Sequence, residues 1–303
     1  MKLFSVLQPG PLTTFQDLGR TGQMALGLTE GGPMDVRSFV IANQLVSNDI
    51  NKTALEITLG GLTLQCLAPC SVAVTGAFSP VSINGKPQSL WKTLKLKPND
   101  TLEIGFAALG ARSYLAVSSG FDAPAWFESS ATVVRENIGK PLVKEQQLSG
   151  HESYHCEELS LPYLQQPQLK KQVELRYIRG YQAKQFPELA HSVFTTGQYT
   201  LSKQIDRMGF RLEGAVINSD LRELYSEGIA RGAIQVTGAG QPIIMMRDRQ
   251  TIGGYPKLGS VISPDLDKLA QLTQGATVTF VPISADEAIR IYRDYWQALL
   301  DLL

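Results

Sequence analysis

The sequence predicts a mainly β protein, built as two barrel domains with a few helices. Three observations predict it. Short apolar runs of strand length, broken by Gly, Pro and Asn, recur along most of the chain, as they do in barrels. A chain of 303 residues with 43% hydrophobic content can fill more than one ordinary core, so two domains are expected. Only three segments carry a clear helical spacing of apolar residues.

In chain order, the first helix opens at Asp35, a good N-cap, places Phe39, Ala42, Leu45 and Val46 on one face, and closes at Asn48-Asp49. Strands are expected over 71–77 and 81–84, with Asn84-Gly85 as a hairpin turn. Further strands are expected over 101–107, 113–117, 173–180, 233–237, 242–246 and 277–283. A second helix takes Ser263 as cap and Pro264 as its first residue, carries Leu266, Leu269, Ala270 and Leu272, and stops at Gly275. Lying between two strands, it resembles a barrel plug. The third helix starts from the capping box Ser284-Ala285-Asp286-Glu287 and runs through Ala288, Ile291, Tyr292, Tyr295, Trp296, Leu299 and Leu300. That stripe is wide for a terminal helix and suits an interface. Between 139 and 168 the strand pattern weakens, and 144–168 is rich in Gln, Glu, Ser and Pro. The boundary is placed there, giving domains 1–165 and 166–303. Gln16-Asp17-Leu18-Gly19-Arg20-Thr21-Gly22 and Gln204-Ile205-Asp206-Arg207-Met208-Gly209 hint at a repeat between the halves.

Composition excludes several functions. Lys plus Arg (28) balance Asp plus Glu (28), so there is no broad positive field and no nucleic acid partner is expected. Cys66, Cys70 and Cys156 form no CxxC pair, which argues against a disulfide framework or a structural zinc site and favours a cytoplasmic location. The apolar run from 3 to 7 is too short for a signal-peptide core, and no stretch approaches the ~20 residues of a membrane span. His151-Glu152-Ser153-Tyr154-His155 matches the HExxH zinc-hydrolase signature literally. Its flanks are polar, with Gly150 before and Pro162 soon after, so exposed linker histidines are the favoured reading and no metal site is predicted. There is no GxxxxGK[ST] loop, no GxSxG elbow and no Met-Lys-Met biotinylation sequence.

The chemistry that remains lies in carboxylates, arginines and amides. Asp248-Arg249-Gln250-Thr251-Ile252-Gly253-Gly254-Tyr255-Pro256 follows the apolar run 243–246, so polar groups and a glycine pair sit at a strand end. Near the amino end, Asp17 and Arg20 occupy a similar stretch, followed by Gly31-Gly32-Pro33-Met34-Asp35. The two stretches suggest one composite site. Asp17, Arg20, Asp206, Arg207, Arg211, Asp248, Gln250 and Tyr255 can orient a planar polar ligand, with arginine forking onto a carboxylate or phosphate. The competing reading is that such Asp-Arg pairs staple turns.

Gln16-Asp17-Leu18-Gly19-Arg20, Gly32-Pro33-Met34-Asp35, Ala42-Asn43-Gln44-Leu45, Leu55-Glu56-Ile57-Thr58, 206–212 and 248–256 together resemble the allophanate hydrolase subunit 2 family, part of the biotin-dependent carboxyltransferase group. Its bacterial stand-alone members are mostly the C component of 5-oxoprolinase. The resemblance implies two tandem cyclophilin-like β-barrels, carboxyltransferase subdomains C (1–165) and D (166–303). It implies an ATP-dependent lactam hydrolase, active only with a B component resembling allophanate hydrolase subunit 1 and with an A component. ATP, with its magnesium, would be bound by a partner or shared with one, and no other metal is implied. Ile252 replaces the family's usual Thr, and Pro33 its usual Ala.

In the implied reaction the lactam carbonyl oxygen is phosphorylated before water attacks. Arg207 or Arg211 would then meet phosphate or carboxylate, and Asp248 or Asp17 would move the proton. Gly253 and Gly254 would supply backbone donors, and Arg20, Gln250, Thr251 and Tyr255 would bind substrate or nucleotide. The alternatives are the carboxyltransferase half of a biotin-dependent urea-carboxylase-like enzyme and a non-catalytic regulatory binding protein.

Overall fold

The computed structural model describes residues 1–151, 157–219 and 224–303. Glu152, Ser153, Tyr154 and His155 of the HExxH match lie outside the described residues, as does Cys156, while His151 is exposed. The chain forms two units, one of Met1–Arg20, Gly31–Leu169 and Leu299–Leu303, the other of Thr21–Glu30 and Lys170–Ala298.

Among the described residues, twelve strands build the first unit. They are β1 (Lys2–Pro9), β2 (Leu12–Gln16), β3 (Ala54–Thr58), β4 (Leu62–Cys66), β5 (Cys70–Phe78), β6 (Val81–Ile83), β7 (Lys86–Gln88), β8 (Thr93–Leu96), β9 (Thr101–Ile104), β10 (Leu109–Val117), β11 (Phe121–Asp122) and β12 (Gln147–Gly150). One sheet has the order β11-β12-β1-β4-β9-β6-β7 and the other β2-β3-β10-β5-β8. Alternate residues of both, among them Phe4, Val6, Ile57, Leu64, Val72, Val74 and Leu115, close over one core. Asn84 and Gly85 both take positive φ at the β6–β7 hairpin, as their dipeptide requires.

Helix α1 (Val36–Gln44) starts where expected, with Asp35 Oδ1 accepting from Ser38 N at 3.0 Å. A buried carboxylate ties this start to the sheet. Glu56 of β3 accepts from Met34 N and from the Tyr114 hydroxyl, each at 2.8 Å, and that hydroxyl accepts from Asp35 N. Burial, then the charges of Glu56 and Asp35, push the Tyr114 phenol well above its ordinary value.

The second unit contains β13 (Gln172–Arg179), β14 (Tyr199–Ile205), β15 (Gly209–Glu213), β16 (Glu227–Gly228), β17 (Ala233–Val236), β18 (Pro242–Met245), β19 (Ile252–Gly253), β20 (Lys257–Val261) and β21 (Thr277–Ile283). Seven of these close a barrel in the order β13-β20-β17-β18-β15-β14-β21, and β16 pairs separately with β19. The mainly β, barrel-forming expectation holds. Phe210, Leu212, Ile234 and Ile244 are fully buried on the inward face, with Tyr177, Tyr199 and Phe280.

Helix α2 (Glu188–Thr196), which the sequence reading did not identify, contributes Phe194. Its ring stacks on Phe280 with centroids 4.2 Å apart. Helix α3 spans Ser263–Ala270, so Ser263 is its first residue and not its cap; Ile262 holds the cap position and no side chain bonds there. It also ends before Gly275, whose N donates instead to Leu201 O of β14. The stronger anchor is Asp265, which accepts from Arg176 N, Nε and Nη2 at 2.8, 2.8 and 2.7 Å. Helix α4 (Ala285–Leu300) opens with Ser284 Oγ accepting from Glu287 N. Its stripe divides. Ala288 and Leu299 are buried and Tyr295 donates to Asp267, while Tyr292 and Leu300 stay exposed. No helix among the described residues is long and apolar enough to cross a membrane.

Candidate functional site

In the barrel of the second unit, residues alternate inward and outward along each strand, so the neighbours of the core row form an outer row. Register pairs Phe210 with Ile244 and Ile234 with Ile244 on the inside, and Arg211 with Ile243 and Gln235 with Ile243 on the outside. Arg211, Ile243 and Gln235 therefore stand side by side across β15, β18 and β17. The register of β17 on β20 shifts between Ile234 and Gln235, a bulge of the kind that re-aims a side chain.

Over this outer row lies a cavity of about 480 Å³, lined by Lys203, Gln204, Ile205, Asp206, Met208, Gly209, Arg211, Gln235, Ile243, Met245, Gln250 and Tyr255. Its size is within the range of small-molecule sites. Arg211, Gln250 and Tyr255 are the expected residues that the cavity collects. Asp206, a candidate for orienting the ligand, lines it as well, while Lys203 and Gln235 were not among the sequence candidates. Two cations and one carboxylate leave the lining with a surplus positive charge, suited to a monoanion. The sequence signal for Gln235 is its polarity inside an apolar β run, between Ile234 and Val236, which does not say which face it occupies.

Arg207 and Asp248 form a forked ion pair, Nε to Oδ2 and Nη2 to Oδ1 both at 2.9 Å, and both are buried. Asp248 N also donates to Arg207 O, so the pair locks the turn after β14 onto the turn after β18. Around it lie Arg231, Arg247 and Arg249, with Glu30 and Asp267. Burial, then Arg231, push the Arg247 guanidinium down to about 9. An arginine stays protonated at neutral pH even so, and the depression reflects first its burial and then the neighbouring Arg231 charge. Arg249 is held by Ile229 O at 2.8 Å and by Glu30.

Thr251 uses its carbonyl on Ile229 N, and Gly253 pairs with Glu227 in the β16–β19 ladder. A Cβ on Gly253 would lie 2.6 Å from Ile229 Cδ1 and 3.3 Å from Gln235 Nε2, and one on Gly254 would lie 2.7 Å from Leu224 O. Close packing explains both glycines.

Asp17 and Arg20 belong to the first unit. Asp17 Oδ1 accepts from Gly19 N at 2.9 Å and from the Ser129 hydroxyl at 2.6 Å, and Oδ2 accepts from Ser130 N at 2.7 Å. Arg20 is buried and donates to Ala131 O. Both staple the chain after β2 to residues 129–131. Asp206 forms the matching turn after β14, its Oδ1 accepting from Met208 N and Gly209 N at 2.8 and 3.1 Å. The hinted repeat thus has a local structural counterpart.

A family model described as the carboxyltransferase domain, subdomain A and B, matches residues 26–282. The chain belongs to this family. The family description carries the subdomain letters A and B, where the resemblance implied C and D. Among relatives of this family member, the C component of 5-oxoprolinase from Escherichia coli (strain K12) is 33% identical over 96% of this chain and 95% of its own length. The Haemophilus influenzae counterpart, also a 5-oxoprolinase C component, is 32% identical over 96% and 94%. The crystal structure of the Kluyveromyces lactis urea amidolyase superposes with a TM-score of 0.94 at 27% identity, covering all of this chain and 20% of that one.

Proposed function

We propose that this chain is the C component of an ATP-dependent 5-oxoprolinase, cleaving 5-oxo-L-proline to L-glutamate in the cytoplasm together with the A and B components. One observation carries the reading: the identity to two 5-oxoprolinase C components runs nearly end to end through both chains. The cavity supports it. Substrate in this reading is a small monoanion carrying a polar ring edge, and the outer wall of the second barrel offers Arg211 and Lys203 for the carboxylate, with Gln235, Gln250 and Tyr255 around the ring.

When bound, ATP would supply the phosphoryl group that activates the unreactive lactam carbonyl. The sequence has no GxxxxGK[ST] loop, and in this reading ATP and its magnesium would be held by, or shared with, a partner protein. Arg211, at the cavity, is the residue here suited to an anionic group, while the Arg207–Asp248 pair keeps the cavity-forming turns in place. Proton transfer at the cavity falls to Asp206, the carboxylate among its lining residues.

The test is glutamate formation from 5-oxoproline and ATP by the chain alone and then with the purified A and B components. Glutamate only in the full mixture is expected. Its absence there, with all three proteins folded and associated, refutes the reading. The TM-score of 0.94 to the urea amidolyase favours carboxyl transfer as the second reading. Carboxyl transfer from a co-purifying biotinylated protein would establish it.

A further inference from the structure

The cavity on the outer wall of the barrel in the second unit contains a buried amide with no protein partner among the described residues. Gln235 is 1% exposed, and its Nε2 meets no hydrogen-bond acceptor among them. Its surroundings are apolar: Ile229, Ala233, Ile243 and Met245 form a buried cluster, Ile243 is its register partner and Ala233 precedes it by two on the same strand face. A leucine would extend that cluster. A donor held there unsatisfied costs stability, and such a cost at a cavity wall points to a ligand acceptor.

Gln250 brings a second amide to the same place. A Cβ on Gly253 would lie 3.3 Å from Gln235 Nε2 and 3.5 Å from Gln250 Nε2, so the absence of a side chain at 253 leaves space between the two carboxamides. Along the outer row, Arg211 stands two strands from Gln235, about 10 Å away at the usual strand spacing. A cation at one end and an amide donor at the other match a small ring with a carboxylate on one side and a carbonyl on the other.

Resting on the oxoprolinase reading, we propose that Gln235 is the residue that recognises the lactam carbonyl, donating Nε2–H to its oxygen, with Gln250 reading the adjacent ring N–H and Arg211 and Lys203 holding the carboxylate. Selectivity for a lactam over other small carboxylates then resides in the two glutamines. A site built to satisfy a buried donor discriminates strongly against analogues that lack the acceptor.

The experiment is calorimetric titration of 5-oxo-L-proline and of cyclopentanecarboxylate, which keeps the ring and carboxylate but has no amide, onto the full chain alone and in complex with the A and B components. Gln235→Leu should weaken 5-oxoproline by about tenfold or more, leave cyclopentanecarboxylate within about twofold, and raise the melting temperature by removing an unsatisfied amide. Gln235→Met serves as a second variant should leucine perturb the fold. Arg211→Met should weaken both ligands. If 5-oxoproline binds the Gln235 variants as it binds the parent while Arg211→Met loses it, the assignment of Gln235 is overturned and the site survives. If 5-oxoproline binds neither the chain nor the complex, or no variant changes its binding, the assignment and the lactam reading of this cavity fall together; glutamate formed by such a complex would keep the oxoprolinase reading and move its site elsewhere.

Discussion

Replacing Asp248 by Asn changes the volume of the side chain little but removes the charge that faces Arg207. Both oxygens of Asp248 accept from that guanidinium at 2.9 Å, and both residues are more than nine-tenths buried. An amide can accept on one side only, and its NH2 group would confront an N–H of the arginine. Breaking a buried pair by removing one partner costs about 3–5 kcal/mol, because the remaining charge is left uncompensated. The nearby guanidinium groups of Arg231, Arg247 and Arg249 add to the cost in this case. For a domain of this size each kcal/mol moves the melting temperature by about 3–4 °C, so a fall of roughly 10–20 °C is expected. Differential scanning calorimetry at neutral pH reads it. The double variant Arg207→Met/Asp248→Leu should recover much of the loss, since it leaves no unpaired charge. A melting temperature within about 2 °C of the parent for Asp248→Asn, with turnover abolished, would refute the positioning role and restore Asp248 as a proton-transfer group.

Tyr114→Phe removes a hydroxyl that bridges Asp35 N and Glu56, and should lower stability by about 1–3 kcal/mol in urea denaturation without altering the cavity of the second unit. Gly253→Ala should abolish 5-oxoproline binding while the chain stays folded, because the new methyl meets Ile229 Cδ1, the end of a side chain, and the Gln235 amide; retained binding would place the ligand elsewhere. Burial would raise the Asp265 carboxyl, but hydrogen bonds from Arg176 and then Lys268 outweigh it and hold it below the usual carboxylate range. Its folded value thus lies below its unfolded one. The stability it contributes is complete above about pH 4 and is lost as pH falls through the folded value. Asp265→Asn should flatten the acid side of a stability-against-pH curve while lowering stability at pH 7; an unchanged acid limb would assign that loss to other groups.

Strand and helix positions were legible where one local signal decided them. Thr277–Ile283 alternates and was bounded correctly at both ends, and Asp35 followed by an apolar face gave α1 its start. Helix α2 was overlooked although Pro187-Glu188 begins it, because its inward residues Ala190, His191 and Phe194 make a narrow stripe. The site was legible in part. Polar residues beside glycines marked Arg211, Gln250 and Tyr255, but the same signal marked Asp17 and Arg20, which staple residues 129–131. Sequence spacing cannot separate a carboxylate that faces a ligand from one that accepts two or three backbone and hydroxyl hydrogen bonds. Gln235 required knowledge of which barrel face it occupies, and that depends on register with β18.

Barrel closure in the second unit joins β13 to β21 in parallel, from Gln172 beside Thr277 to Ile178 beside Ile283. Helix α4 and the strands that carry the cavity are therefore useful only after a ladder between distant parts of the chain has formed. During synthesis β13 leaves the ribosome long before its neighbour exists, and its edge must wait unpaired, as must the edge of β14 that will meet β21. Such non-local pairing makes folding slow and leaves a long interval in which the nascent chain can pair wrongly. A chain interrupted just before residue 277 would keep every strand but β21 and none of the closure. Chaperone dependence of expression, more than stability of the finished protein, is where this topology would be felt in a cell.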